Sequence, residues 1–332
     1  MSNLNINKPS VSIIIPIYNA SKFLEQCVNG LMLQTFQDLE FIFVDDFSND
    51  KSLEILHNLL KKYPNRIHQV RIIQHKKNYG SAIARNTGLN NSTGRFIGWV
   101  DADDYIELDM FESLYNIMIE SNSDLIWCDF DLIYSQKTIK KPQNFSLDTK
   151  VYMNGLIDNT IQGNLWNKLF KAEIINRYNL EFLHGQNMGE DRMFLFKYLF
   201  YCNKLYHYPF IKYHYVQINS SSLTRIKGNR RAYEEINNNK SILDFISKNN
   251  LDWINIDGIN NFKLKSKDRL LHSTTIDDFK KWKLIFPEVN GKIIYSKTPI
   301  QHKILGLLSH FSFWSLIKLW IKLKTNFNKN VN

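Results

Sequence analysis

Gly94–Ile106 reads GRFIGWVDADDYI, an uninterrupted apolar run, Phe96 to Val100, that ends directly in Asp101, Asp103 and Asp104. Continuous apolar runs without alternation belong to strands covered on both faces. Three comparable runs precede it: Val11 to Ile17, Phe41 to Val44 and Val70 to Ile73. Between them lie stretches with helical spacing, carried by Phe23, Cys27 and Leu31, then by Leu53, Leu56, Leu59 and Leu60, then by Ala82 to Leu89. Strand, helix, strand repetition predicts an open α/β sheet. Such sheets take ligands beyond the carboxyl ends of their strands. The positions to inspect are therefore Pro16, Ile17, Tyr18 and Asn19 after the first run, Asp45 and Asp46 after the second, and Asp101 to Asp104 after the fourth.

Packed aspartates must be solvated, paired or neutralised by a cation, because burying an unpartnered charge is costly. Carboxylate oxygens with no neighbouring Cys or His suit a hard ion such as Mg²⁺ or Mn²⁺. On an extended segment Asp101 and Asp103 project to the same side. The alternative is a solvated turn, with Asp104 or Asp109 capping the next helix; placement after a buried strand favours the cation. Asp45 and Asp46 admit the same two readings, since Asp46 to Asp50 is also a good turn with Ser48 as a cap. Tyr18 either offers an aromatic face to a base or packs at the strand end.

Further along, Leu125 to Tyr134 reads as a strand, Leu165 to Tyr178 and Arg192 to Tyr201 as helices, and Lys204 to Tyr215 as extended. From about Ala232 the spacing turns helical throughout, in Ile236 to Ile246, Phe262 to Leu271 and Phe279 to Phe286. These patterns divide the chain into a polar tail 1–10, an α/β domain 11–228, a helical region 229–300 and a basic tail 301–332. In that last tail Ser315, Lys318 and Lys322 share one side of a helix, and Phe313, Trp314, Ile317, Trp320 and Ile321 the other. The aromatic side either enters the surface of an anionic membrane or completes the core.

With 42 Lys+Arg against 32 Asp+Glu, the net charge of +10 points to an anionic partner: a nucleotide, a nucleic acid or a membrane surface. The acid clusters at the ligand edge would repel phosphates without a metal, which argues against nucleic acid as the partner. The three cysteines are too few and too scattered for a zinc site or a disulfide framework. The polar start, the short first run with Pro16 and the absence of a long apolar stretch predict a cytoplasmic protein held peripherally at the inner face of the membrane.

VSIIIPIYNA at Val11–Ala20, FIFVDDFSND at Phe41–Asp50, NYGSAIARNTGL at Asn78–Leu89 and GRFIGWVDADDYI arrive in one order, followed by LWNKLFK at Leu165–Lys171 and GEDRMF at Gly189–Phe194. This set resembles the family 2 glycosyltransferases of the GT-A fold, of the kind that builds bacterial capsule, exopolysaccharide or lipooligosaccharide. The resemblance implies a nucleotide-sugar donor, a divalent metal, and inverting transfer to a hydroxyl of a glycan or lipid-linked acceptor. By it, Pro16, Tyr18 and Asp46 hold a uridine with Asn19 beside them, Asn78 and Arg85 line the nucleotide pocket, and Asp101 with Ala102 approaches the ribose. Asp103 would coordinate Mn²⁺ or Mg²⁺, and Asp191 would be the catalytic base with Glu190 its neighbour. Trp166 and Asn167 would line the sugar and acceptor pocket, and Ser221, Ser222 and Arg225 would meet the diphosphate. His214 among tyrosines reads as structural.

Phe47 stands where the family has glycine, which puts the turn beside the uridine in question. The QxxRW motif of processive members is missing, which favours transfer of single sugars. Two further readings are a sugar nucleotidyltransferase, which the absence of a Gly-rich basic loop at Pro16–Ser21 disfavours, and a catalytically degenerate nucleotide-sugar-binding scaffold, which the full set of acidic positions disfavours.

Overall fold

The computed structural model describes residues 8–218, 229–296 and 298–330. The chain divides into two units, Met1–Met153 with Gln162–Ile226, and Asn154–Ile161 with Lys227–Asn332.

The first unit is built on one mixed sheet. Strand β1 (Val11–Ile17), helix α1 (Leu24–Met32), β2 (Leu39–Asp45), α2 (Ser52–Leu60), β3 (Val70–Gln74), α3 (Ser81–Asn90) and β4 (Phe96–Trp99) alternate as the apolar runs predict. Then come β5 (Tyr105–Ile106), α4 (Met110–Ser121), β6 (Leu125–Ile133), β7 (Thr138–Lys141), α5 (Thr149–Asp158), β8 (Lys168–Lys171), α6 (Ala172–Arg177), α7 (Glu190–Phe200) and β9 (Leu205–Val216). The strand order is β3-β2-β1-β4-β8-β6-β9-β5, with β7 on β6. The first four strands run parallel. β8 lies antiparallel between β4 and β6.

Val11, Ile13, Ile14 and Ile15 are fully buried, so β1 is covered on both faces as its unbroken apolar run requires. Helix α3 lies so close to it that a Cβ on Gly88 would come within 2.2 Å of Ile14. Pro16 costs the sheet no hydrogen bond. The β1–β4 register ends at Ile14↔Trp99, and the Val100 amide donates to the Ile14 carbonyl, so the side from which Pro16 lacks an N–H faces beyond the end of β4.

Lys168–Lys171 corrects the reading of Leu165 to Tyr178 as one helix: its first part is a central strand and only Ala172–Arg177 is helical. Four residues bonded on both sides are too short for a period to show.

The second unit is helical, with α8 (Asn229–Lys248), α9 (Ile256–Asp268), α10 (Ile276–Leu284), α11 (Ile300–His310) and α12 (Trp314–Asn330). Its core gathers Leu270, Leu271, Phe279, Trp282, Leu305 and Ile317. Lys267 is buried there; its ammonium donates to the carbonyls of Trp282, Ile285 and Phe286 and to Asn290, and burial lowers its pKa to about 7. One expectation for the basic tail is corrected: it is not one helix, because the chain breaks at Ser312, whose φ is 61°. On its aromatic side Ile317 is fully buried and Trp314, Trp320 and Ile321 pack against the same core, while Phe313 is exposed.

Candidate active site

At the carboxyl end of β1, Tyr18 and Asn19 are exposed, and Asn19 sits in the left-handed region at φ 51°. Its amide donates to Ser48 Oγ (3.0 Å) and its Oδ1 accepts from the Asn49 amide (2.8 Å), which stitches the β1 and β2 loops together. Phe47 sits in the left-handed region that favours glycine, with φ 63°, and its ring is exposed. For a bulky side chain this conformation costs about 1–2 kcal/mol. Each loop thus carries one exposed aromatic ring, Tyr18 and Phe47.

Asp46 is buried and bonds inward. Its Oδ1 accepts from the Tyr79 amide (2.9 Å) and meets His75 Nδ1 (2.7 Å), while Oδ2 accepts from the Gly80 amide (2.7 Å). His75 Nε2 in turn meets Thr87 Oγ1 at 2.9 Å. The aspartate therefore shapes the loop leading into α3, and only the second lone pair of Oδ2 remains to it for a ligand. Asn78 is exposed on that loop.

Helix α3 starts at Gly80, whose φ of 94° suits glycine. A Cβ there would also strike the Asn187 side chain at 2.2 Å. Asn187 Oδ1 accepts the Ala82 amide (3.0 Å), satisfying one of the donors that a helix start leaves over. Asn187→Ala is expected to destabilise the protein by about 1 kcal/mol, the usual worth of such a cap, read as a lower urea midpoint at unchanged slope.

Arg85, one turn into α3 and buried, gathers three carboxylates. Its Nη2 lies 3.3 Å from Asp101 Oδ1, and its Nη1 2.7 Å from Glu190 Oε1 and 3.2 Å from Asp191 Oδ1. Glu190 also accepts from Ser81 Oγ at 2.9 Å. Glu190 and Asp191 open α7 behind Gly189, whose φ of 77° turns the chain into the helix. The two acids differ. Glu190 is buried and held by two donors, whereas Asp191 is half-buried and has no hydrogen-bond donor aimed at its Oδ1. Burial raises the Asp191 pKa to about 7; Arg85 opposes that shift, and Glu190 and Asp101 add to it.

In the acid cluster the three side chains take different environments. Asp104 is buried and anchors β9, accepting from Tyr213 Oη (2.7 Å) and the Val216 amide (2.8 Å). Tyr213 Oη also accepts the Asp101 amide at 3.2 Å. Burial and its two acidic neighbours push the Asp104 carboxyl well up. Asp101 and Asp103 are half-buried, with Ala102 buried between them. Among the described residues the donors at this edge are carboxylate oxygens, which fits a hard divalent ion.

His214 is occupied elsewhere, between Asp131 (2.7 Å) and Glu107 (2.9 Å) with the Tyr105 ring stacked on it. In the second unit Asp268, His272 and His302 are grouped closely enough to ligate an ion. There Asp268 is hydrogen-bonded to His302 (2.8 Å), and Lys324 sits on the His272 carbonyl (2.8 Å).

Trp166 and Asn167 lie inside the first unit rather than on an open wall. Trp166 stacks on Tyr213 at 4.3 Å with Phe130 at its edge. Asn167 is fully buried; it donates to the Cys128 carbonyl and accepts from Asn164 and Lys168, so its amide serves the interior of the unit. The adjacent Lys168 is fully buried, which lowers its pKa to about 7. Ser221, Ser222 and Arg225 lie outside the described residues.

Ser81, Asn187 and Tyr213 were not among the residues singled out in the sequence. Ser81 lies within NYGSAIARNTGL, Asn187 two positions before GEDRMF and Tyr213 beside His214, but nothing local marks a residue whose partner is far along the chain.

Comparison with known proteins places this geometry. The family model described as Glycosyl transferase family 2 matches residues 12–189. The uncharacterized glycosyltransferase EpsJ of Bacillus subtilis is 33% identical over 193 residues, 56% of this chain and 55% of that protein. The poly(ribitol-phosphate) beta-N-acetylglucosaminyltransferase TarP of Staphylococcus aureus is also 33% identical over 193 residues, covering 57% of each. The chain thus spans little more than half the length of these curated relatives. The crystal structure of S. aureus TarS 1-349 in complex with UDP-GlcNAc superimposes with a TM-score of 0.68 at 16% identity, over 95% of this chain and 92% of that one. The open mixed sheet expected from the strand pattern is the GT-A sheet of that structure.

Proposed function

The chain belongs to glycosyl transferase family 2, and we propose that it transfers one sugar from a nucleotide-diphosphate sugar, a UDP-sugar first among them, to a hydroxyl of a glycan or lipid-linked acceptor in bacterial surface polysaccharide synthesis, with inversion at the anomeric carbon. The observation that carries this is the Arg85 hub. It ties Asp101, at the end of β4, to an acid at the start of α7 that keeps an oxygen without a directed donor and titrates near neutrality. That is the property a general base needs at physiological pH.

Asp191 takes the proton of the acceptor hydroxyl as its oxygen attacks the anomeric carbon from the side opposite the leaving diphosphate. Glu190 is a positioning residue, holding Arg85 and the start of α3. Tyr18 and Phe47 offer their exposed rings to the base, Pro16 and Asn19 shape the loop beneath it, and Asn78 lies on the neighbouring loop. Asp46 reaches the uracil with the remaining lone pair of Oδ2, and Asp101 and Ala102 border the ribose. Asp103, with Asp101 beside it, would hold Mn²⁺ or Mg²⁺, which when bound neutralises charge on the diphosphate. The UDP-GlcNAc held by TarS supports a UDP-sugar donor, and the TarP name an N-acetylglucosaminyl group.

UDP-, GDP- and dTDP-sugars, tested for divalent-ion-dependent binding and slow hydrolysis, decide the donor. EDTA is expected to abolish turnover, and Asp103→Asn to weaken donor binding with Mn²⁺ at least tenfold while leaving metal-free UDP binding little changed. Full activity in Asp103→Asn would remove the metal assignment.

A further inference from the structure

Helix α12 has two apolar faces, and the second unit's core uses one. Ile317 is fully buried, whereas Leu316, Leu319 and Leu323, three and four positions apart, are 52%, 54% and 62% exposed. At 100° per residue these three leucines form a stripe roughly opposite Ile317 and Ile321. Lys318 and Lys322 flank the stripe on one side. On the other side Lys324 turns inward, its ammonium over the Trp320 ring and donating to the His272 carbonyl (2.8 Å). α11 repeats the pattern: His302, Leu305 and Ser309 are buried, while Ile300 and Ile304 are exposed on the outer side. The two outer faces meet where the Phe311 and Phe313 rings, both more than half exposed, come within 6.2 Å.

Scattered exposed leucines are ordinary, but a stripe in helical register running through a turn into a second helix is not. Its charge setting identifies the occupant. No acidic residue follows Glu288, while lysines recur to Lys329. Apolar side chains bordered by lysines, in a stretch of sequence that carries no acid, match a surface of acyl chains topped by anionic headgroups. No helix among the described residues is long and apolar enough to cross a membrane, so the contact is with the surface.

We propose that the outer face of α11 and α12 is a lipid-docking surface: Leu316, Leu319 and Leu323 enter the headgroup boundary of an anionic bilayer while the exposed Lys318 reaches phosphate. The surface is independent of the sugar-transfer chemistry, so its test needs no donor or acceptor.

The full chain is titrated with vesicles of equal parts phosphatidylglycerol and phosphatidylcholine, and with phosphatidylcholine alone. Binding to the anionic vesicles should be at least about tenfold tighter and should weaken with added salt. The combined variant Leu316→Gln, Leu319→Gln, Leu323→Gln should lose about 100-fold in partitioning, and Lys318→Glu about tenfold. All four side chains are exposed, so the thermal unfolding of the variants should match that of the parent. As a readout that needs no loss of function, an environment-sensitive dye on Leu319→Cys should brighten on vesicle binding; the three native cysteines are buried and stay unlabelled. Three outcomes would overturn the proposal: no capture of the parent chain, equal capture of the leucine variant, or a concentration-dependent dimer that the leucine variant abolishes, which would show a second copy covering the stripe.

Discussion

Asp191→Asn should lower kcat for sugar transfer by about 10²–10⁴-fold, the usual worth of a general base, with the donor dissociation constant little changed. The substitution keeps volume and removes the proton acceptor. In the parent enzyme kcat/KM should rise with pH along a limb centred near the Asp191 pKa of about 7, since the carboxylate must be deprotonated to act. Stability runs the other way. A carboxyl raised from 3.8 to about 7 holds its proton more firmly in the folded chain than in the unfolded one. Its contribution is full below the unfolded value and is lost as pH rises through about 7. Asp191→Asn removes that loss, so the variant should gain on the parent in urea midpoint between pH 5 and pH 8 even as it loses activity. Turnover retained with donor binding lost would reassign Asp191 to structure.

Arg85→Gln should cost about 3–5 kcal/mol, as expected when one partner of a buried ion pair is removed and the other charges stay behind. Here Glu190, Asp101 and Asp191 all lose their shared cation. The deficit should shrink on acidification, because protonated carboxyls no longer need the guanidinium. Arg85 opposes the upward shift of Asp191, so its removal should also move the acid limb of any residual activity to higher pH. Urea unfolding at pH 5 and pH 8 checks the first expectation and a pH–rate profile the second. A deficit independent of pH would mean that packing, not charge, is what Arg85 supplies.

Which parts of the molecule could be read in the sequence follows from how local their causes are. Strands covered on both faces announce themselves as continuous apolar runs, so β1 to β4 and the acids beyond them were legible. β8 was not, because four residues between two antiparallel neighbours carry no period. The order of the motifs points to Arg85, Glu190 and Asp191, but only distances separate a glutamate hydrogen-bonded by two donors from an aspartate that meets Arg85 as an ion pair alone. Asp46 and Asn167 show the same limit from the other side: residue types that read as ligand contacts are largely or wholly engaged by partners far along the chain. The tail was read as one amphipathic helix because a single aromatic stripe was visible. The second stripe emerges only when the first is known to be buried.

Helix α5 begins in the first unit and ends in the second, since Asn154–Ile161 belongs with the helices that follow residue 226. Its last turn fits against α9, where a Cβ on Gly258 would meet Asp158 at 2.3 Å. During synthesis, which runs from the N-terminus, this short stretch leaves the ribosome well before any of its partners exist. The sheet can close around its missing eight residues once the chain to residue 226 has emerged, whereas the helical unit must wait for its own far end and then recruit a segment already tethered at both sides. A chain stopped after residue 226 would thus present a finished sheet with one orphaned helix turn.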